Sequence, residues 1–165
     1  MGGSTRIPAD PDAGRSTRVR LVLLDTNAVL LPFRERFPLE RELGALAPGA
    51  EVAVPVAVLA ELHHLSERGE PSAIPALEWA RRHRSIESPA RGDAALEELG
   101  LRLRTAVVTS DRGLIARLRR AGVPVLRPRG ARRLVWVAPA GSSGERPSAT
   151  VKKRPPVERR PRAPP

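Results

Sequence analysis

The chain has 165 residues, enough for one domain with a sizeable core and tails at either end. It lacks cysteine, which excludes a disulfide scaffold and thiolate metal sites, and aromatic residues at 2% are too few for base-stacking platforms. A net charge of +11 and a sequence pI near 11.6 point to a polyanionic partner, nucleic acid first and an anionic membrane surface second.

Residues 1–18 are rich in Gly, Ser, Pro and Asp and hold no hydrophobic stretch, so a flexible leader without a signal peptide is expected. Val19 to Leu24 reads as a buried strand. A helical pattern follows, weak from Asn27 and clearer in PLERELGAL from Pro38, and stops at Pro48-Gly49. VAV before Pro55 reads as a second strand; Pro55 suits the first turn of the helix VAVLAELHHLSERG, which Gly69 closes. SAIPALEWARRH and DAALEELGLRL read as two further helices. TAVVTS is then a strand, DRGLIARLRRAG a helix ending at Gly122, VPVL a strand, and RRLVWV a short last one. Strands alternating with helices predict an α/β fold, a three-layer α/β/α sandwich around a central, mostly parallel sheet spanning residues 19–137.

The closing stretch, residues 138–165, carries seven basic residues, two acidic ones and seven prolines. With almost nothing to bury, it is expected to be a disordered basic tail whose Lys152, Lys153 and Arg154 meet RNA. The leader contributes +1, the tail +5 and the body +5. The apolar runs are too short and too interrupted to span a bilayer, so a soluble, cytoplasmic protein without membrane association is expected.

Parallel α/β sheets carry their sites at the carboxyl ends of the strands. Two strands here finish alike: LVLL runs into Asp25-Thr26-Asn27, and AVV into Thr109-Ser110-Asp111. Each aspartate stands beside hydroxyl or amide side chains that can hold it, and either is also a suitable helix N-cap. On the helix after Pro55, Val58, Leu62 and Leu65 form an apolar stripe, and Glu61 falls on the face expected to be buried. A buried glutamate needs a partner. A salt bridge to an arginine is one solution; the other is that Glu61 looks into the crevice where Asp25 and Asp111 emerge, where converging carboxylates require a cation. Asp93 heads another helix, as a cap or as the member that completes the set.

These residues resemble the signature of the PIN-domain ribonucleases. The resemblance runs from about Val19 to Val137 and rests on Asp25 in LLDTNAVL, Glu61 in VLAELHHL, Asp93 in GDAALEEL and Asp111 in VVTSDRGL, with Thr26, Asn27, Thr109 and Ser110 as supporting neighbours. The closing AGVPVLRPRGARRLVW looks more like archaeal relatives of the small-subunit rRNA-processing PIN nuclease than like VapC-type toxins. Those relatives often carry a second acid after the one at Asp93, where this chain has Ala94. The resemblance implies catalytic and metal-binding roles for the four acids: Asp25, Glu61 and Asp111 as principal ligands, with Asp93 closing the site or placing the nucleophile. Hard oxygen donors without sulfur suit Mg²⁺ or Mn²⁺.

His63 and His64 follow Glu61 closely enough to invite a zinc reading, which lacks a third matching ligand. Arg112, Arg117, Arg119 and Arg120 follow Asp111 on a helix that can meet phosphates or simply face solvent, and Arg127, Arg129, Arg132 and Arg133 flank Gly130 beside the last strand, where phosphate contact is favoured. Trp79 and Trp136 are expected in the core. The function expected is a metal-dependent endoribonuclease, with RNA (pre-rRNA or a ribosomal subunit) as partner and a homodimer compatible with it. The alternatives are a VapC-type toxin ribonuclease, which would come with an antitoxin encoded beside it, and a non-catalytic RNA-binding ribosome-assembly factor.

Overall fold

The computed structural model describes residues 19–138 and residue 140. The expected leader, and all of the expected basic tail beyond residue 140 with Lys152, Lys153 and Arg154, lie outside the described residues. The elements run β1 (Leu21–Leu24), α1 (Thr26–Glu35), α2 (Leu39–Leu46), β2 (Glu51–Pro55), α3 (Val56–Glu67), α4 (Ala73–Ala80), β3 (Arg84–Ile86), α5 (Asp93–Leu103), β4 (Ala106–Val108), α6 (Arg112–Arg120), β5 (Val125–Arg129) and β6 (Arg133–Val137). Six strands form one sheet in the order β3-β2-β1-β4-β5-β6. All neighbours are parallel except β5 and β6, which form an antiparallel hairpin at one edge.

Alternation along the strands separates two cores. Val22, Leu24, Val54, Ala106, Val108 and Leu126 face the layer made by α1 to α4, where Leu30, Leu39, Leu62 and Leu77 complete the packing. Leu23, Ala53, Val107 and Val125 face the opposite layer, against Leu96 and Leu99 of α5 and Leu114 and Leu118 of α6. The three-layer α/β/α sandwich predicted from the sequence is therefore the fold. β3 was not anticipated: its Arg84-Ser85-Ile86 has no fully buried side chain and lies at the sheet edge, so it carries no apolar pattern. Trp136 also departs from expectation, since β6 is the other edge and leaves the ring 40% exposed. Trp79 is partly buried against the first core and donates its indole N–H to Glu40 at 2.9 Å.

The chain lays β2 and β3 on one side of β1, then returns through α5 to place β4 on the other. The order reverses between β1 and β4, a switch point that opens a crevice at the strands' carboxyl ends. No helix among the described residues is long and apolar enough to cross a membrane.

Candidate active site at the switch point

Leu24 and Val108 are partners in register, so Asp25 and Thr109 leave the sheet side by side. Asp25 stays tied to it, donating its backbone N–H to Val108 O at 3.1 Å, while its Oδ1 accepts from Ala28 N at 2.5 Å and caps α1. The side chain thus starts a helix at the point where the strand ends, which leaves Asp25 only 6% exposed. Burial pushes its carboxyl up to about 6. The Thr109 hydroxyl and the Ala28 N–H act against that shift, while the negative charges of Asp93 and Glu61 add to it. Three of the four predicted acids therefore interact electrostatically.

Glu61 corrects the expectation that it lies on a buried face. It is exposed, because the buried side of α3 consists of Val58 and Leu62 and Glu61 falls at that stripe's margin. It nevertheless turns to the crevice, where the Thr26 hydroxyl donates to its Oε2 at 2.5 Å. Thr26, next to Asp25 and 7% exposed, is the tether joining β1's end to α3.

Asp93 opens α5 directly after Gly92, whose φ of 55° is the left-handed turn that glycine accommodates best. Its Oδ2 accepts from Arg117 of α6 at 2.8 Å, and Arg117 also pairs with Glu97, one turn after Asp93. Arg117, a phosphate-binding candidate in the sequence, is thus engaged within the protein, holding α5 to α6. The signal for it was present: acids four residues apart on one helix face, with an arginine on the next helix.

Asp111 is joined to the site through Thr109 rather than by contact with Asp25. Its N–H donates to Thr109 Oγ1 at 3.1 Å, and its Oδ1 caps α6 by accepting from Leu114 N at 2.7 Å. It is exposed, as are Ser110 and Asn27. The capping reading of Asp25 and Asp111 is therefore correct for both, and it leaves one oxygen of each clear of its capping bond. His63 and His64 have Glu67 as their ion-pair neighbour. Arg112 is exposed at the first turn of α6, and Arg127, Arg129, Arg132 and Arg133 are exposed on the β5–β6 hairpin, with Arg129 opposite Arg133.

As placed, no three His, Asp or Glu side chains among the described residues are gathered tightly enough to hold an ion by direct contact. The donors are nonetheless carboxylates and hydroxyls without sulfur, around a buried acid in the field of two others. Such a set fits a hard divalent cation that keeps several waters and meets some ligands through them.

A mostly parallel sheet with acids leaving the two strands that flank its switch point defines an α/β domain with a carboxylate crevice. Residues 22–131 match the PIN-like domain family, and the chain belongs to that family. Membership supports a nuclease function. Among solved structures, the PIN domain endonuclease Utp24 superposes with a TM-score of 0.60 at 20% identity, over 72% of this chain and 93% of that one. A domain of a functionally unknown protein from Methanocaldococcus jannaschii DSM 2661 gives 0.51 at 21% identity, over 72% and 98%. VapBC2 from Rickettsia felis, bound to a promoter DNA fragment, gives 0.48 at 16%, over 59% and 92%. At these identities the first two likenesses speak to the shared fold. Comparison with curated proteins gives no significant match.

Proposed function

We propose that the protein is a metal-dependent endoribonuclease that hydrolyses RNA phosphodiester bonds in the cytoplasm, with precursors of ribosomal RNA as its substrate. The observation that carries this is an aspartate 6% exposed at the switch point, with Glu61 and Asp93 in its electrostatic reach. A buried acid flanked by acids is costly unless a cation joins them, and membership of the PIN-like family supports nuclease chemistry.

On this reading Asp25, Glu61, Asp93 and Asp111 hold Mg²⁺ or Mn²⁺. When bound, the ion supplies charge neutralisation at the phosphoryl oxygens and a more acidic water. The chain's own groups do the positioning. Thr109 orients Asp25 and receives the Asp111 N–H, Thr26 aims Glu61 into the crevice, and Arg117 holds Asp93 at the head of α5. Without the ion, Asp25 is ionised above pH of about 6, and as a carboxylate it can hold the cation or accept a hydrogen bond from a water. Arg112, Arg129, Arg132 and Arg133 supply exposed cations for the RNA backbone.

The test is cleavage of an end-labelled, unstructured RNA by wild type and Asp25→Asn in Mn²⁺, in Mg²⁺ and in EDTA. Wild type should cut only with the ion, and the variant should lose on the order of a hundredfold in rate with unchanged circular dichroism. A variant that cuts at the wild-type rate removes the mechanism. A VapC-type toxin would show an antitoxin gene adjoining this one.

A further inference from the structure

Beside the acids lies a hollow of about 360 Å³ between the first turns of α3 and the loop from β3 to α5. One wall is Val56, Ala57 and Ala60, the residue before Glu61; the other includes Ala90, Arg91 and Gly92, the residue before Asp93. Its lining thus includes the sequence neighbours of two acids that act on Asp25, Glu61 and Asp93, which sets it beside the crevice, within reach of the nucleotide next to one held there. We propose that the hollow seats one unpaired nucleobase next to the scissile phosphate, its face on Val56, Ala57 and Ala60 and its backbone against Arg91. This rests on the ribonuclease reading above and specifies the substrate as a single-stranded or extruded nucleotide.

The chemistry of the walls selects this occupant. Val56 is a large apolar side chain left 39% exposed, and Ala60 beside it is exposed as well, so a wet aliphatic surface is available to a flat apolar face. Their short side chains leave the space open. Arg91 is exposed and enters no ion pair among those described, which suits a phosphate or the stacking plane of a base. The loop wall is formed in advance. The Ser88 hydroxyl donates to Glu98, Ala90 N donates to Ser88 Oγ at 3.1 Å, and Arg102 Nη2 reaches Glu87 O at 3.0 Å. A pre-formed wall spares the ordering cost that a mobile loop would impose on binding. A base inside a duplex keeps its faces stacked on its neighbours and does not reach the floor; an extruded one does.

The experiment scans one abasic nucleotide through a short single-stranded RNA and reads both binding by fluorescence anisotropy and cleavage with Mn²⁺, using full-length wild type, Ala60→Leu and Arg91→Ala. With wild type, an abasic residue at a single position relative to the cut should raise Kd and KM by about tenfold, and at other positions by little. Ala60→Leu, which fills the hollow from an exposed helix position, should erase that difference. Arg91→Ala should weaken binding and lower the slope of log Kd against log salt by about one, leaving the abasic contrast in place. A flat abasic profile in wild type, or a contrast that survives Ala60→Leu in a protein with wild-type circular dichroism, overturns the proposal. Because anisotropy needs no turnover, a wild type that binds with the abasic contrast yet never cuts would refute the nuclease reading and leave the base seat standing.

Discussion

Asp25 and Asp111 occupy matching places, each at the exit of a strand flanking the switch point and each capping the helix that follows, yet one is 6% exposed and the other open to solvent. The difference comes from one feature of the chain. Asp25 follows β1 without a spacer and remains hydrogen-bonded to β4, whereas Thr109 and Ser110 intervene before Asp111 and carry it beyond the sheet. Capping accounts for where Asp111 stands. It does not explain Asp25, because an exposed aspartate would cap α1 as well without the cost of burial. Burial holds the Asp25 carboxyl up at about 6, a cost that Asp111 does not bear.

The largest expected effect on stability tests that asymmetry. The folded state raises the Asp25 pKa from 3.8 to about 6, so it binds the proton more tightly than the unfolded chain does. The penalty is absent below pH of about 4, grows as pH rises between about 4 and 6, and is complete above that, where it amounts to about 3 kcal/mol. Asn retains the capping oxygen without the charge. In EDTA, Asp25→Asn should therefore be more stable than wild type by up to about 3 kcal/mol at pH 7.5 and equal to it near pH 3.5, as read by urea unfolding. Mn²⁺ should close the gap at pH 7.5 by stabilising wild type alone. Equal stabilities at both pH values would mean that Asp25 is no more strained than Asp111.

A smaller effect concerns how α5 brings Asp93 to Asp25. Gly100 lies where α5 crosses β4, and a Cβ there would stand 2.9 Å from Val123 Cγ1 and 3.4 Å from Val107 Cγ2. Gly100→Ala should thus cost about 1–3 kcal/mol through overpacking, since neither β-branched neighbour can yield by rotating a long side chain. As α5 is pushed outward Asp93 recedes, so the Asp25 pKa should fall slightly, burial being the larger cause of its elevation, and carboxyl NMR titration measures the change. Destabilisation with an unmoved Asp25 titration would show that Asp93 is placed by Arg117 rather than by this helix contact.

The sequence disclosed the fold more fully than the site. Apolar runs marked β1, β2 and β4, helical periodicity marked the helices from α3 onward, and α5 matches at both ends, because each of these buries a face and so must show a pattern. β3 shows none, since Arg84 and Ser85 are exposed at the sheet edge. Around the candidate site, the places of Asp25 and Asp111 at strand exits and of Asp93 at a helix start were legible, and the environments of the acids were not. Burial of Asp25 depends on the register of β1 with β4, and the turn of exposed Glu61 toward the crevice depends on a hydroxyl 35 residues away in sequence. Arg117 looked like one more cation on a solvated helix face until α5 was laid beside it.

The smallest effect belongs to Asp111, and it separates a cap from a ligand. Its Oδ1 takes the Leu114 N–H, a bond that an asparagine oxygen accepts as well, so Asp111→Asn should change stability in EDTA by no more than a few tenths of a kcal/mol at any pH. Asp111→Ala removes the oxygen and should cost about 1 kcal/mol. Those two results alone would describe a cap. The distinguishing measurement is the rise in melting temperature on adding millimolar Mn²⁺. If Asp111 contributes its second oxygen to the ion, directly or through water, Asp111→Asn should reduce that rise while leaving the EDTA melting temperature where it was, because only the metal-bound state loses an interaction. A full Mn²⁺ shift in Asp111→Asn, set beside its loss in Asp25→Asn, would confine the ion to Asp25, Glu61 and Asp93 and leave Asp111 as the cap of α6.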